Sequence, residues 1–188
     1  MKRKASPTNK CRVQIQLYII SLYNLILRIL PFHQARVVFL RMCGASVGKG
    51  VAVHGRVYFT RPGNLQLGAY STINKDCYVD TRGGVAVGDS VMIGHNSFIY
   101  TAGHDIDCKD FSGYNAGVEI GDYAVVFPHS LIMPGVKVGK GAVILTGSVV
   151  TKDVDEFAVV GGNPCKFIKH RSHDLNYRHE YRFWVANA

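Results

Sequence analysis

His104 is the residue in this sequence best suited to acid–base chemistry. It follows Gly103 in a polar, glycine-bearing segment, TAGHDIDCKDFSGYNAG, which occupies residues 101–117. A histidine titrates near neutral pH, so its imidazole can take a proton from a hydroxyl group and later return it to a leaving group. Residue type alone leaves open the alternative that His104 is a solvated side chain.

Other residues offer competing chemistries. Cys108 lies in the same segment and could carry an acyl group, but no second histidine is placed in the sequence to activate it. His95, His104 and His129 suggest zinc, yet their spacing does not match a ligand motif. The five cysteines are scattered without a C-x-x-C pair, so we expect no metal site, no disulfide framework and a reduced setting.

The secondary structure that must position these side chains can be inferred from branched apolar residues that recur every six positions. Branched apolar residues recur without a break at Ile120, Val126, Ile132, Val138, Ile144 and Val150. The same period, with shifts of phase, is present from Val47 onward. A helix would show spacings of three and four residues, and a half-buried strand would alternate, so the period indicates neither.

Two further rules accompany the period. The residue four places after each apolar position is small or β-branched, and the residue directly after it is often glycine, as at Gly48, Gly68, Gly88, Gly94, Gly121 and Gly139. A six-residue unit is one short strand and a turn, and three units close one coil that stacks on the next. We expect the glycines to permit backbone angles that a side chain would penalise. At residues 101–117 the register fails, which predicts a loop that leaves the coil.

The pattern [LIV]-G-x-x-[STAV]-x resembles the hexapeptide-repeat acyltransferases. The segment VTKDVDEFAVVGGNPCKFIKHR, residues 150–171, is similar to the signature that ends the repeat domain in the branch of maltose, galactoside and surface-polysaccharide O-acetyltransferases. The resemblance implies a mainly β fold, a left-handed parallel β-helix over residues 47–169. An N-terminal basic, amphipathic helical segment (1–46) precedes it, an extruded loop lies near 101–117, and a short C-terminal tail (170–188) follows.

The resemblance also implies an activity, the transfer of an acetyl group from acetyl-CoA to a sugar hydroxyl. TAGHD resembles the T-x-x-H catalytic segment of the family, which makes His104 the general base of a direct transfer. Asn74 aligns with an asparagine near the acceptor, and Tyr78 and Asp80 are candidates for acceptor contacts. Asn74 could instead be a corner residue in a left-handed conformation. The related sugar enzymes have an acidic residue close to where this chain has Arg82.

Residues for the donor follow from the same signature. Thr146, Thr151 and Lys152 would border the coenzyme, and Lys166 and Lys169 would meet its phosphates, where a basic surface strip is the alternative. The family often has a tryptophan beside the pantetheine channel. This chain reads AVVFPH there, and Phe127 could replace the tryptophan.

The partners expected from the sequence depend on its charge. The net charge is +9, and no Asp or Glu precedes Asp76. The apolar run at residues 13–30 is interrupted by polar residues, so we expect an amphipathic helix that caps the core or lies on a membrane surface, and not a membrane span. No recognition motif supports nucleic-acid binding. We expect a cytoplasmic protein, with peripheral contact at the inner face of the cell membrane as one role of the helix. The family resemblance implies a homotrimer, because the family places its active site between subunits.

The acceptor predicted by these observations is a saccharide, such as a surface-polysaccharide or lipid-linked precursor. Two alternatives stay open at the level of sequence. One is acetylation of the amino group of an amino sugar, because the same base serves both acceptors. The other is a noncatalytic repeat scaffold that keeps the fold for assembly.

Overall fold

A computed structural model describes residues 3–4 and 10–183 of the 188 residues. Lys2 and the side chains of the first nine residues, like the last five residues of the predicted tail, lie outside the described residues. Strand β1 (Arg3–Lys4) precedes two helices, α1 (Lys10–Ile29) and α2 (His33–Met42). Neither helix in the described part is long and apolar enough to cross a membrane.

The rest of the chain winds into stacked coils with three parallel faces. Face 1 contains β2 (Ser46–Val47), β5 (Leu65–Leu67), β8 (Val85–Val87), β13 (Val118–Ile120) and β16 (Lys137–Val138). Face 2 contains β3 (Ala52–Val53), β6 (Thr72–Ile73), β9 (Met92–Ile93), β14 (Val125–Val126), β17 (Val143–Ile144) and β19 (Ala158–Gly161), followed by the antiparallel β20 (Lys166–His170). Face 3 contains β4 (Tyr58–Phe59), β7 (Tyr78–Val79), β10 (Phe98–Ile99), β15 (Leu131–Ile132) and β18 (Val149–Val150). The chain visits the faces in the order 1, 2, 3, and we call the corners between them edge 1–2, edge 2–3 and edge 3–1.

The residues of the six-residue register line the interior, as predicted. Those from Ile120 to Val150 are all between 0% and 3% exposed. The small residues four places later are buried too, including Ser130, Ala142 and Ser148, which are 0% exposed. Side chains of one coil therefore stack on those of the next in a continuous core, which is why a short repeat suffices to specify the fold.

The reason expected for the glycines is wrong. None of the six repeat glycines has a positive φ. A Cβ added at Gly121 would lie 2.7 Å from the backbone nitrogen of Lys140 in the next coil, and one at Gly139 would lie 2.5 Å from that of Glu156. Glycine stands there because adjacent coils approach closely, and the left-handed positions fall elsewhere in the turns.

The two helices close the N-terminal end of the coil stack. The amide of Asn24 donates to the carbonyl of Phe59 at 2.9 Å and accepts from its N–H at 3.0 Å, which satisfies the open edge of β4. Arg36, 1% exposed, donates to the carbonyl oxygens of Leu27 and Val53. The helical segment is therefore joined to the first coil by hydrogen bonds as well as apolar packing.

The segment at residues 101–117 leaves the stack as a β-hairpin. Strands β11 (Ala102–His104) and β12 (Gly113–Asn115) pair antiparallel, and β1 adds to β12. The coil resumes at Val118, which pairs with Val85. The predicted loop is thus an ordered two-stranded projection at edge 3–1.

The C-terminal tail lies along edge 1–2. The Tyr177 hydroxyl donates to the carbonyl of Tyr123 at 2.9 Å, and the Arg178 guanidinium lies 5.0 Å from the centre of the Tyr70 ring. Tyr181 then packs edge-on against His54 and His33 at the opposite end of the stack. The tail is a strap that spans the length of the solenoid.

The three faces differ in their outward side chains. Face 1 presents polar residues to solvent, including Gln66, Glu119 and Lys137. Face 2 is covered in part by the strap, whose residues 178–181 line a cavity of about 330 Å³ together with Thr72 and Met92. Face 3 presents partly exposed apolar side chains, and the described part of the strap does not cover them. They are Tyr58, Tyr78, Phe98, Leu131 and Val149.

Candidate functional site

His104 is exposed at the end of β11, opposite Gly113 of β12. The Phe111 ring stacks on its imidazole with a centroid distance of 4.6 Å and an interplanar angle of 1°. A Cβ added at Gly113 would lie 3.7 Å from Nε2 of His104. The ring is therefore held by stacking on one side and left open at its nitrogens, as a general base requires.

Asp80 ties the base of the hairpin to the coils below it. The side chain is 0% exposed, and its carboxylate accepts hydrogen bonds from Thr60 Oγ1 at 3.0 Å and from the Thr101 N–H at 3.2 Å. The Arg82 guanidinium donates to both carboxylate oxygens at 2.9 Å. Both oxygens are thus occupied, so Asp80 positions Arg82 and Thr101 and does not face an open groove in this chain.

The charge of Asp80 is maintained by these contacts. Burial acts to raise the pKa of its carboxyl group, but the hydrogen bonds and charge of Arg82, with the N–H of Thr101, outweigh burial and hold the pKa below its ordinary value. The Arg82 side chain is half exposed. Its guanidinium is consequently fixed at edge 3–1.

Tyr78 belongs to an aromatic ladder on face 3. Its ring stacks on Tyr58 at 5.3 Å and lies 5.7 Å from Tyr100 and 6.4 Å from Phe98. Burial, followed by the charge of Asp80, raises the pKa of the Tyr78 hydroxyl. The predicted contact of this hydroxyl with an acceptor stays a prediction; its place near Asp80 and Arg82 is compatible with it.

Asn74 lies at edge 2–3, where it follows β6. Its side-chain amide donates to the carbonyl of Ile93 at 2.9 Å, and the residue lines the cavity that the strap covers. The left-handed residue of this turn is Asp76, with φ of 62°, and not Asn74. The alternative that Asn74 serves as a left-handed corner residue is therefore wrong.

Three further predicted residues share edge 2–3 with Asn74. Phe127, 38% exposed, follows β14, and Thr146 follows β17 and is exposed. Lys166 begins β20 opposite Gly161, at the end of the stack. Because adjacent strands of the sheet are about 4.8 Å apart, the row from Asn74 to Lys166 extends roughly 24 Å over five strand steps, the last of them from β19 to the antiparallel β20. Such a row suits an extended ligand.

The remaining predicted residues are exposed at other positions. Thr151 and Lys152 follow β18 at edge 3–1, two coils beyond the base of the His104 hairpin. Lys169 lies on β20 opposite Val159, farther from edge 2–3 than Lys166. Within one chain, the predicted donor residues are thus divided between two edges.

The two edges lie on either side of face 3. His104, Thr151 and Lys152 are on edge 3–1, whereas Asn74 and Thr146 are on edge 2–3. A single chain does not bring His104 next to Asn74. A complete site from these residues requires edge 3–1 of one chain to meet edge 2–3 of another.

The competing chemistries find limited support in the geometry. His129 donates its backbone N–H to the His95 carbonyl at edge 2–3, away from His104, and the described residues contain no group of three side chains that could hold a metal. Cys108 accepts a hydrogen bond from Ser112 Oγ at 3.1 Å, which lowers the pKa of its thiol. Cys108 therefore remains the competing nucleophile.

Some residues of the site were missed by sequence reasoning. Thr60 and Thr101, in the coils on either side of Asp80, hydrogen-bond to its carboxylate. Each lies about one coil length from Asp80 in the sequence, and this spacing could have predicted the contacts. Phe111 had no periodic signal, because the hairpin that brings it to His104 interrupts the repeat. Its φ of 45° is unusual for an aromatic residue.

Comparisons with known proteins give relatives over most of the chain, although no family model matches it. The chain is 31% identical over 139 residues to WcaF of Escherichia coli K12, a protein provisionally named as a colanic acid biosynthesis acetyltransferase. The alignment covers 74% of this chain and 76% of WcaF.

Two solved structures share the architecture. A maltose O-acetyltransferase from Clostridium difficile 630 superposes with a TM-score of 0.81 at 29% identity, covering 92% of this chain and 94% of that one. A hexapeptide-repeat acetyltransferase from Vibrio cholerae O1 biovar eltor, in complex with acetyl coenzyme A, has a TM-score of 0.80 at 20% identity, with coverage of 88% and 92%. The second likeness shows the fold alone, and the coil stack is that of a left-handed parallel β-helix.

Proposed function

Because the chain belongs to the hexapeptide-repeat acyltransferases, in the branch of maltose, galactoside and surface-polysaccharide O-acetyltransferases, we propose that it moves an acetyl group from acetyl-CoA to a saccharide hydroxyl with His104 as general base. The observation that carries this proposal is the exposed, ring-stacked His104 at one edge of face 3, opposite an edge that carries the predicted donor row. An acyltransferase activity that uses acetyl-CoA agrees with the family.

In the proposed reaction His104 removes the proton of the acceptor hydroxyl. The oxygen attacks the acetyl carbonyl, the C–S bond breaks, and His104 returns the proton to the departing thiolate of coenzyme A. A general base of this kind contributes about 10² to 10⁴ in rate. A backbone N–H that donates to the oxyanion contributes about 3 kcal/mol more. The stacked Phe111 ring restricts the imidazole to one plane, which lowers the entropy lost in reaching the reactive geometry.

The donor would lie along edge 2–3. Thr146 and Phe127 border the row, and Lys166 offers an ammonium group for a phosphate at its end, with Lys169 beyond it. Thr151 and Lys152 would approach from edge 3–1 of a second chain. Acetyl coenzyme A is the ligand in the structure of the Vibrio cholerae neighbour, and the row of roughly 24 Å is long enough for an extended pantetheine arm.

We propose a homotrimer with face 3 turned toward the threefold axis. Face 1 is polar and face 2 is partly covered by the strap, whereas face 3 is apolar and flanked by the two edges that carry the predicted site residues. Around a threefold axis, edge 3–1 of each subunit meets edge 2–3 of the next, so each of three equivalent contacts would join His104 to Asn74 and Thr146.

Complementation between two inactive variants tests this arrangement. His104→Ala damages edge 3–1 and Asn74→Ala damages edge 2–3, so a mixed trimer contains one contact that is intact on both sides. Random mixing at equal amounts should restore about a quarter of the wild-type activity, because each contact has that chance of joining two intact edges. Mixing two preparations of the same variant is the control. No recovery in assembled mixed trimers would contradict a shared site.

We propose a surface-polysaccharide or lipid-linked saccharide precursor as the acceptor, with the reaction in the cytoplasm at the inner face of the membrane. Cys43, Cys77, Cys108 and Cys165 form no disulfide, which favours a reducing compartment. The name of WcaF refers to colanic acid, a polysaccharide.

A screen of sugars with acetyl-CoA, followed by mass spectrometry of the products, tests the acceptor. An O-acetyl ester is released by mild base, whereas an acetamide is stable, so the same screen separates acetylation of amino sugars from the proposed reaction. A noncatalytic scaffold would give no product and no hydrolysis of acetyl-CoA that disappears in His104→Ala. Either result would overturn the proposal.

A further inference from the structure

Helix α1 has an apolar side that the solenoid does not cover. Six large side chains with spacings of one, three or four residues are between 46% and 71% exposed, and we call them the outer stripe: Ile15, Tyr18, Ile19, Leu22, Leu25 and Ile29. These spacings place them on one side of an α-helix. A contiguous apolar surface of this length is unusual on a soluble protein and indicates an interaction site.

The opposite side of α1 is fixed to the first coil. Tyr23 and Leu27 are 5% and 3% exposed, and Asn24 makes its two hydrogen bonds with the backbone of Phe59. At about 100° per residue, Leu22 and Ile29 point roughly opposite to Leu27. The outer stripe therefore faces away from the coil stack. The other side of the helix, with Tyr23 and Leu27, covers the core.

The charge around the outer stripe selects its partner. Lys10 and Arg28 lie on one flank of the stripe and Arg12 on the other, and all three side chains are exposed. The sequence contains no acidic residue before Asp76. Two copies of this surface would repel each other, whereas a leaflet with anionic headgroups attracts the flanks and accepts the apolar side chains.

We propose that α1 docks this protein on an anionic lipid surface, with the outer stripe in the headgroup and acyl boundary and Lys10, Arg12 and Arg28 at the phosphates. Apolar insertion and electrostatic attraction supply the two signals that stable peripheral attachment needs. The hydrogen bonds of Asn24 to Phe59 join α1 to the first coil. When α1 lies on the lipid, the first coil is therefore the coil nearest to the lipid surface.

This docking fixes the height of the catalytic hairpin, a consequence that rests on the proposed function. The hairpin leaves after β10 of the third coil, two coil steps of about 4.8 Å beyond the first. With a helix about 10 Å thick beneath the first coil, His104 lies roughly 20 Å from the lipid surface. A saccharide on a lipid anchor can reach that height, and in the proposed trimer three helices would dock from the same end.

Vesicle flotation of the full chain tests the proposal. Vesicles of phosphatidylcholine with about 30% phosphatidylglycerol should carry the protein, and those of phosphatidylcholine alone should carry much less. Partition should fall more than tenfold for the double variant Ile19→Ser and Leu22→Ser, since both side chains lose their apolar burial. It should fall about 25-fold for Arg12→Gln with Arg28→Gln, roughly fivefold per charge.

Matched controls separate the docking surface from general changes in charge or polarity. Lys137→Gln with Lys140→Gln removes the same charge at and beside face 1, and Ile106→Ser removes a side chain that is 81% exposed on the hairpin. Both should float like the wild type. Salt at about 0.5 M should weaken flotation of the wild type, because attraction to the headgroups is screened.

The outcomes distinguish the docking surface from the catalytic proposal. Equal flotation of the stripe variant and the wild type, or equal partition into neutral vesicles, would overturn the lipid contact. If the wild type does not float and the stripe variant differs from it in oligomer size, the lipid contact is wrong and the outer stripe binds a second copy of the chain. His104→Ala should float normally, and wild-type hydrolysis of acetyl-CoA by a floating His104→Ala would contradict the proposed function while the lipid contact stands.

Discussion

The coil stack and the His104 hairpin show two ways in which one sequence specifies structure. In the stack, each interior side chain repeats one six-residue position, and residues such as Ile144 and Val150 are completely buried. In the hairpin the repeat stops, His104 is exposed, and its neighbour Phe111 comes from the connection between β11 and β12. Changes in the stack should therefore alter stability, and changes in the hairpin should alter turnover.

The largest expected effect is on turnover, from the hairpin. His104→Ala should lower kcat by about 10² to 10⁴ and leave the affinity for acetyl-CoA nearly unchanged, because in the proposed mechanism the imidazole acts on the acceptor proton. The melting temperature should stay within a degree or two, since His104 is exposed. His173→Ala in the strap is the matched control and should keep full activity. If His104→Ala lost enough stability to explain its loss of activity, the expected difference between the coil stack and the hairpin would be wrong.

In the stack, Ile144→Ala should lower the free energy of unfolding by about 2 to 5 kcal/mol. Ile144 is 0% exposed and stacks between Val126 and Val160 of the adjacent coils, so its truncation leaves a cavity. Val143→Ala, at the neighbouring outward position, should cost much less. Denaturant unfolding measures both. Equal costs for the two variants would show that the inward and outward positions do not differ as described.

Asp80 joins the two regions, so Asp80→Asn should affect both. Loss of its charge weakens the bonds to Arg82 and Thr101 and should cost about 1 to 3 kcal/mol of stability. Because the folded pKa of Asp80 is depressed, its contribution is present above the ordinary carboxyl pKa of about 4 and is lost as the pH falls through the folded value. Unfolding measured against pH should show less acid dependence in Asp80→Asn. An identical profile for the two proteins would remove Asp80 from this role.

A smaller effect, on the KM for acetyl-CoA, is expected from Lys166 at the C-terminal end of the coil stack. Lys166→Ala should raise the KM for acetyl-CoA about fivefold with little change in kcat, because an exposed ammonium group contributes about 1 kcal/mol to binding a phosphate. The penalty should shrink with added salt. Lys140→Ala, which removes an exposed lysine elsewhere, is the control. A fall in kcat with KM unchanged would place Lys166 in the chemical step.

The smallest expected effect sharpens the mechanism of the hairpin. Cys108→Ser should remain active, because direct transfer needs no thiol nucleophile. The lowered pKa of Cys108 makes this comparison necessary. An acetylated protein trapped by mass spectrometry, together with inactivity of Cys108→Ser, would replace direct transfer with an acyl-enzyme and leave the fold unaffected.

The period of six residues predicted the coil stack because each interior position has the same neighbours in the coils above and below. Local sequence is then enough to state which side chains are buried. The same reasoning failed for the repeat glycines, since the approach of Gly139 to Glu156 is a contact between coils and not a local backbone preference. It also described the C-terminal residues only as a tail, although Tyr177 and Tyr181 fasten them along the whole stack.

The sequence by itself determined the interior of this protein, the interruption at residues 101–117 and the candidate base His104. Only the tertiary structure decided which predicted residues share an edge, that Asp80 is occupied by Arg82 and Thr101, and that α1 has a covered side and an open one. The physical reason is the range of the contacts. Burial in a repeat is fixed by neighbours one coil away, whereas a site across two edges depends on how whole coils, a hairpin and a helix are placed relative to one another.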